Sequence, residues 1–309
     1  MIGILVVVIF LVLALIIAEK VFERTNFYKQ NYSETDKLHG VSKVDYVNTG
    51  STFASYGLDY SLAGMKGLNL ALSPQSLEND YKMLKHFVDH YNPGATVFIT
   101  IADLAFAKNG YTESKVEDKY YKIFSRSEIG KYNLLKSLRA RYFPVLYSWK
   151  NFLRFYRDVR LNRDRDVCVN ENDLEAVFAD AYKRCNAWKK EFALDNLQNG
   201  EQGRKFLNEF TYTCEIVANM IKWCRENDLK PVLVNLPVTR ELAENFSKEF
   251  LDVFYYDHIY KLAQEFNVKI IDLQKYDKLT DYLLYLDSCR LNKAGREIVT
   301  KLLLAEVAE

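Results

Sequence analysis

Histidine is scarce in this chain: four residues, His39, His86, His90 and His258, are scattered through 309 positions. That scatter argues against a histidine-based metal site. His86 and His90 have i,i+4 spacing, but no third ligand accompanies them. The five cysteines, Cys168, Cys185, Cys214, Cys224 and Cys289, show no metal-ligand spacing, and an odd number leaves at least one unpaired. No metal or cofactor is expected. An excess of charge is missing too: 42 Lys and Arg face 41 Asp and Glu, an average that points to neither a nucleic-acid binder nor an enzyme of acidic substrates. Finally, no Lys or Arg precedes Lys20.

What precedes Lys20 is an uninterrupted apolar run. Ile2 to Ala18 are 17 uncharged residues, about 26 Å of helix, and Glu19 to Phe22 extend it by snorkelling. A transmembrane anchor is therefore expected over residues 1–22. A cleaved signal peptide normally has a basic region before the run and a small-x-small site after it, and neither is present. A buried helix is the other rival. Lys20, Arg24 and Lys29 follow the span, so the positive-inside rule alone leans toward a cytoplasmic main domain.

Residues 23–42 read as a polar tether. Beyond it, apolar strands alternate with amphipathic helices. Strands are expected at Val44 to Val47, Gly67 to Leu72, Ala95 to Ile101, Pro231 to Leu236 and Val268 to Asp272. Helices are expected at Tyr56 to Met65, Gln75 to Asp89, Gly203 to Asn227, Asp277 to Tyr285 and Lys293 to Ala305, with a helix or helix pair over Arg240 to Phe266. Asn92-Pro93-Gly94 reads as a turn. The pattern describes a three-layer α/β/α fold on a mostly parallel sheet, occupying 43–309. Ligands in such folds sit at the carboxyl ends of strands, and the loops holding Ser51, Ser73 and Asp103 each follow one. With 49% apolar residues the chain can fill such a core.

Residues 105–200 interrupt the rhythm and read as a helical insertion. From Lys122 to Arg165, twelve Lys or Arg stand against Glu128, Asp158 and Asp164. Trp149, Phe152, Leu153, Phe155, Tyr156 and Val159 lie among them at helical spacing. An anionic membrane surface suits that stretch, and so does packing as a scaffold helix.

Two short segments carry the chemical signal. Asn48-Thr49-Gly50-Ser51-Thr52 follows a strand, and Asp287-Ser288-Cys289-Arg290-Leu291-Asn292-Lys293-Ala294-Gly295 leads into the last helix. A hydroxyl nucleophile needs a tight turn, a base, an orienting carboxylate and oxyanion donors. Gly50 permits the turn, and Ser51 or Thr52 presents the oxygen. A helix cap or loop hydrogen bond explains the same residues. With Asn69-Leu-Ala-Leu-Ser-Pro-Gln-Ser76, the Val97-to-Phe106 block and Pro231 to Pro237, these segments resemble the SGNH or GDSL-like hydrolase superfamily. The similarity is to its membrane-anchored bacterial cell-envelope branch, related to the D-alanyl-transfer protein of teichoic acid modification.

The resemblance implies that the G-x-S nucleophile falls on Thr52, and that Asp287 keeps the closing aspartate. It also implies a pocket built from Gly50, Asn69, Ser73, Gln75, Asp103, Arg290 and Asn292. The departures are chemical. The histidine position holds Arg290, a guanidinium that stays protonated and cannot accept the nucleophile's proton. The oxyanion Gly position holds Pro74, which has no N–H. The expected Asn becomes Asp103, which repels a developing oxyanion unless protonated or turned away. Arg290 is expected either to pair with Asp287, tying down the last helix, or to bind an anion. His39 or His258 entering from elsewhere would rescue catalysis, although His258 lies in an aromatic stretch that suits packing.

The resemblance further implies a single-pass protein of the cell membrane with its main domain extracellular. Expected partners are a cell-wall or capsular polymer, a membrane O-acyltransferase and membrane lipid, with no nucleic acid. The leading expectation is a catalytically impaired member that binds or assists acyl modification of such a polymer. An active ester hydrolase or O-acyltransferase with a rearranged site is the alternative, and a membrane-tethered structural or interaction protein the second.

Overall fold

A strand covered on both faces needs a near-continuous apolar run, and such runs around Val97 and Val232 pair near the middle of one five-stranded sheet. The computed structural model describes residues 2–25, 28, 33–38, 40, 42–108, 117–147, 150, 152–153, 156–157 and 173–308. In chain order, helix α1 (Ile2–Phe22) is followed by β1 (Val44–Asn48), α2 (Thr52–Ser55), β2 (Gly67–Asn69), α3 (Leu77–His86) and β3 (Tyr91–Thr100). Next come α4 (Glu117–Tyr120), α5 (Leu134–Tyr142), α6 (Leu174–Glu191), α7 (Leu207–Glu226) and β4 (Lys230–Asn235). The last elements are α8 (Arg240–Ala243), α9 (Lys248–Leu251), α10 (Asp257–Glu265), β5 (Ile270–Asp272) and α11 (Lys293–Ala308). They divide into two compact units, Met1–His39 with Thr112–Val167, and Gly40–Tyr111 with Cys168–Glu309.

The second unit is a three-layer α/β/α arrangement. Its strand order is β2-β1-β3-β4-β5, and every pairing is parallel. Side chains alternate across the sheet. Phe98, Val232, Val234 and Ile271 join one core with Val299 and Leu303 of α11. Val97, Ile99 and Leu233, also fully buried, point to the opposite face, where α7 packs on β4, α3 and α10. Each such side chain contributes about 1.5–3 kcal/mol on burial. An aromatic cluster extends that second layer: Phe250 stacks on Phe254 at 4.2 Å, and His258 lies 4.4 Å from Phe210 and 5.2 Å from Phe106.

Three expected elements take another form. Tyr56 to Met65 is a series of tight turns, with Leu62, Ala63 and Gly64 donating to carbonyls three residues back. Gly64 is left-handed at φ 72°, and Tyr60 is buried against Tyr46, so the chain folds back before a helix can propagate. Asn92-Pro93-Gly94 lies inside the span of β3. Tyr91 pairs with Val44 and Thr96 with Tyr46, so the tripeptide bulges out where Pro93 owes no ladder hydrogen bond. Asp277 to Tyr285 forms two single 3₁₀ turns, Asp277–Leu279 and Tyr282–Leu284. The stretch from Lys248 to Glu265 is helical throughout, with one π turn over Asp252–Tyr256.

In the first unit, α1 is an apolar helix of 21 residues, about 32 Å long and sufficient to cross a bilayer. Its side chains from Ile4 to Leu13 are exposed, which suits lipid as the surrounding medium. Of the expected basic aromatic helix, Phe152, Leu153 and Tyr156 are exposed, whereas Trp149, Arg154, Phe155, Val159 and Arg160, like His39 and Cys168, lie outside the described residues.

Gly50, at the sheet's carboxyl edge, has φ 127°. A Cβ there would stand 1.9 Å from Thr100 Oγ1 and 2.8 Å from Ala54 Cβ. Gly50→Ala is therefore expected to cost about 2–4 kcal/mol, read as a lowered thermal midpoint by circular dichroism of the detergent-solubilised chain.

Candidate functional site

The strand order reverses between β1 and β3, so the loops leaving their carboxyl ends diverge and open a crevice. A buried polar frame holds that opening. Thr49 N donates to Phe98 O at 3.0 Å and Thr100 Oγ1 to Thr49 O at 2.5 Å. Asp80, buried in the first turn of α3, accepts from Gly50 N at 2.7 Å and from Gln75 Nε2 at 2.6 Å. Gln75 Nε2 also reaches the carbonyls of Gly50 and Leu70, both at 3.2 Å. Asn69 works below the opening: its Nδ2 donates to Ala54 O and Leu58 O, and its Oδ1 accepts from Asn48 Nδ2 and Ala71 N. Gly50, Asn69 and Gln75 thus shape the loops through their backbone-directed contacts.

The crevice is a cavity of about 190 Å³. Ser51 and Thr52 line it from the β1 loop, Pro74, Gln75 and Ser76 from the β2 loop, and residues 100–105 from β3. Arg184, Trp188 and Glu191 of α6 close the far side with Phe192 and Phe246. Lys108, also lining, pairs with Glu191 at 2.7 Å. Thr52 Oγ1 shares a hydrogen bond of 2.8 Å with Ser73 Oγ, and Ser51 Oγ accepts from Gln75 N at 3.0 Å. The first backbone donor after Pro74 is therefore turned onto Ser51. Among the described residues no histidine lines the cavity, and His258 is packed among Phe106 and Phe210, where burial lowers its pKa.

Asp103 also lines the cavity, and it is buried. Gln274 Nε2 donates to both its oxygens at 3.1 Å. Burial raises its pKa and the Asp272 charge adds to that, against hydrogen bonds from Gln274 and Asn235, so the carboxyl is pushed up to about 6. The loop beyond it is pinned where Thr213 Oγ1 of α7 donates to Phe106 O at 2.9 Å.

Asp287, Arg290 and Asn292 are not among the lining residues. The Asp287 carboxylate is buried and accepts four hydrogen bonds. Cys289 N and Arg290 N reach Oδ1 at 2.9 and 2.8 Å, and Arg290 Nε and Arg184 Nη2 reach Oδ2 at 2.6 and 3.1 Å. The Arg290 guanidinium also lies 5.1 Å over the Tyr56 ring. Arg184, a residue without any motif signal, lines the cavity and reaches behind it to Asp287, Ser288 and Asp180. Burial alone would raise the Asp180 pKa, but the Ser288 hydrogen bond and Arg184 hold it below the ordinary range. Asn292 Oδ1 accepts from Gly295 N at 3.0 Å, capping α11.

Among the described residues no group of three or more His, Cys, Asp or Glu could hold a metal ion. Burial raises the thiols of Cys185 and Cys214 to about 11 and that of Cys224 to about 12, which leaves them protonated and unreactive.

No protein-family model matches the chain, and no curated protein matches it. Among solved structures it is similar to a Bacillus subtilis protein, YXIM, at 13% identity and a TM-score of 0.38. The similarity covers 87% of this chain and 56% of that one, so the chain spans a little over half the length of that relative.

Two substitutions read the electrostatics. Asp287→Ala leaves two half-buried guanidinium groups without their shared carboxylate and is expected to cost about 3–5 kcal/mol in denaturant unfolding. Asp103 stands above its ordinary 3.8 at about 6, so the folded state holds its proton more tightly and stability falls as pH rises through that window. Asp103→Asn should therefore stabilise the protein at pH 8, by on the order of 1–3 kcal/mol, and have little effect at pH 4.

Proposed function

We propose that this chain is a membrane-anchored, SGNH-hydrolase-like protein of the bacterial cell envelope, impaired in hydrolysis, which binds a wall or capsular polymer and assists its acyl modification. The observation that carries this reading is the cavity's chemistry. Its hydroxyls, Ser51 and Thr52, face a lining without histidine among the described residues, and Asp287 is already held by Arg184 and Arg290. Without an imidazole beside them the hydroxyls stay protonated in this reading, and the positive charge at Arg184 cannot remove a proton. Trp188, Phe192 and Phe246, together with the Lys108–Glu191 pair, instead offer flat apolar faces with polar neighbours, a combination that suits sugar rings. In this reading α1 spans the membrane once and the α/β unit lies outside, where the polymer and a membrane O-acyltransferase partner are found.

A second reading, an ester hydrolase or acyltransferase with a rearranged site, draws support from Asp103. A lining carboxyl with a pKa near 6 is half-ionised near pH 6 and matches the range of a general base. Assaying the full chain against acetyl, alanyl and longer acyl esters, with a fluorophosphonate probe alongside, separates the two. The binding reading expects no labelled hydroxyl and no turnover above buffer, and saturable calorimetric binding of teichoic acid fragments that Trp188→Ala weakens at least about tenfold. Turnover that rises through about pH 6 and disappears in Asp103→Asn would select the second reading.

A further inference from the structure

Helix α5 (Leu134–Tyr142) has its large apolar side chains on the outside. At 100° per residue, Leu134, Leu135, Leu138 and Tyr142 share an arc of about 100°, and all are exposed, Leu135 at 70% and Tyr142 at 63%. The buried side, with Ser137 and Ala140, is small and lies roughly opposite. This reverses the ordinary pattern of a surface helix, whose apolar stripe faces the core. The rotation of α5 is fixed by specific bonds. Asn133 Oδ1 caps it by accepting from Lys136 N, Asn133 N donates to the Tyr121 hydroxyl, and Arg141 Nε and Nη2 donate to the carbonyls of Tyr121 and Phe124. The leucine face therefore cannot turn inward without breaking them.

The position of this helix is tied to α1. Glu19 Oε2 accepts from Val145 N at 2.9 Å, both residues being buried, and Val145 lies just beyond the end of α5. Glu19 is 17 residues along the helix from Ile2, about 26 Å, which brings it to the edge of a hydrocarbon core about 30 Å thick when α1 spans a bilayer. Whatever is pinned to Glu19 sits at interfacial depth.

We propose that the exposed face of α5 lies in the membrane interface, its leucines and Tyr142 inserted beside the anchor among lipid headgroups and upper acyl chains. Tyr142 and the neighbouring Lys131 suit that boundary, aromatic and cationic groups being favoured there. The inference rests on the membrane-spanning reading of α1 and is independent of the chemistry of the cavity. It makes the first unit a foot as well as a tether: one segment crosses the bilayer and a second lies on it.

The test uses the full chain in nanodiscs of phosphatidylcholine and phosphatidylglycerol. A photo-crosslinking amino acid replaces, one at a time, Leu11, Leu135, Leu138 and Lys136, and lipid adducts are counted by mass spectrometry. All four positions carry partly or fully exposed side chains, so folding is not at issue, and circular dichroism verifies it. Lipid adducts at Leu135 and Leu138 at least about fivefold above Lys136, on the same helix but off the apolar face, are the expected result. Adducts at Leu11 with Leu135 and Leu138 no higher than Lys136 would overturn the proposal while leaving the anchor intact. Protein-to-protein crosslinks at Leu135 in place of lipid adducts would also overturn it, and an absence of adducts at Leu11 would remove the anchor and the proposal together.

Discussion

The buried Asp287 carboxylate draws together parts of the α/β unit far apart in sequence. Removing such a group from water costs several kcal/mol, and four N–H donors, two from the following turn and two from Arg184 and Arg290, replace the lost solvation. Through Arg184 and Asp180 the turn is joined to α6. Through Ser288 O, which accepts from both Thr239 N and Thr239 Oγ1, it is joined to the loop after β4, and Asn292 then starts α11. The far wall of the cavity stands where it does because this carboxylate is satisfied. Arg184 lines the opening with one side of its guanidinium already engaged, so the charge it presents is fixed in place.

The frame of the cavity and its reactive groups are held by different residues. Asp80, Gln75 and Thr100 set the backbone at Gly50 through buried hydrogen bonds, and none of these depends on which hydroxyl follows. Ser51 and Thr52 then take neighbours of opportunity, Gln75 N and Ser73. The consequence is a rigid mouth whose contents are set by a few exchangeable side chains, an arrangement that suits recognition as readily as catalysis.

Much of the architecture was legible in the residues. The apolar runs around Val97, Val232 and Ile271 are strands because a sheet covered on both faces accepts few other sequences, and their parallel pairing follows from the helices between them. Short or strained segments were not legible: Tyr56 to Met65 has helical spacing but folds into turns around Tyr60, a tertiary contact that outweighs local propensity. In the site, Ser51, Thr52, Gln75 and Asp103 do line one cavity, because each follows a strand. Arg290 and Asn292 sit outside it, and the loop's geometry explains why: Arg290 bends back onto Asp287 and Asn292 caps α11. Asp80 and Arg184 had no sequence signal, since each matters only through partners distant in the chain.

The double occupancy of Asp287 also sets how far this pocket stands from a working triad. Exchanging Arg290 for an imidazole would supply a base there but not a free orienting partner, because Arg184 would still hold the carboxylate from the side of α6. A proton relay assembled here must first release that second guanidinium, and with it the contacts to Ser288 and Asp180 that brace the wall. A relay of that kind would therefore require at least two simultaneous exchanges and a loosened scaffold.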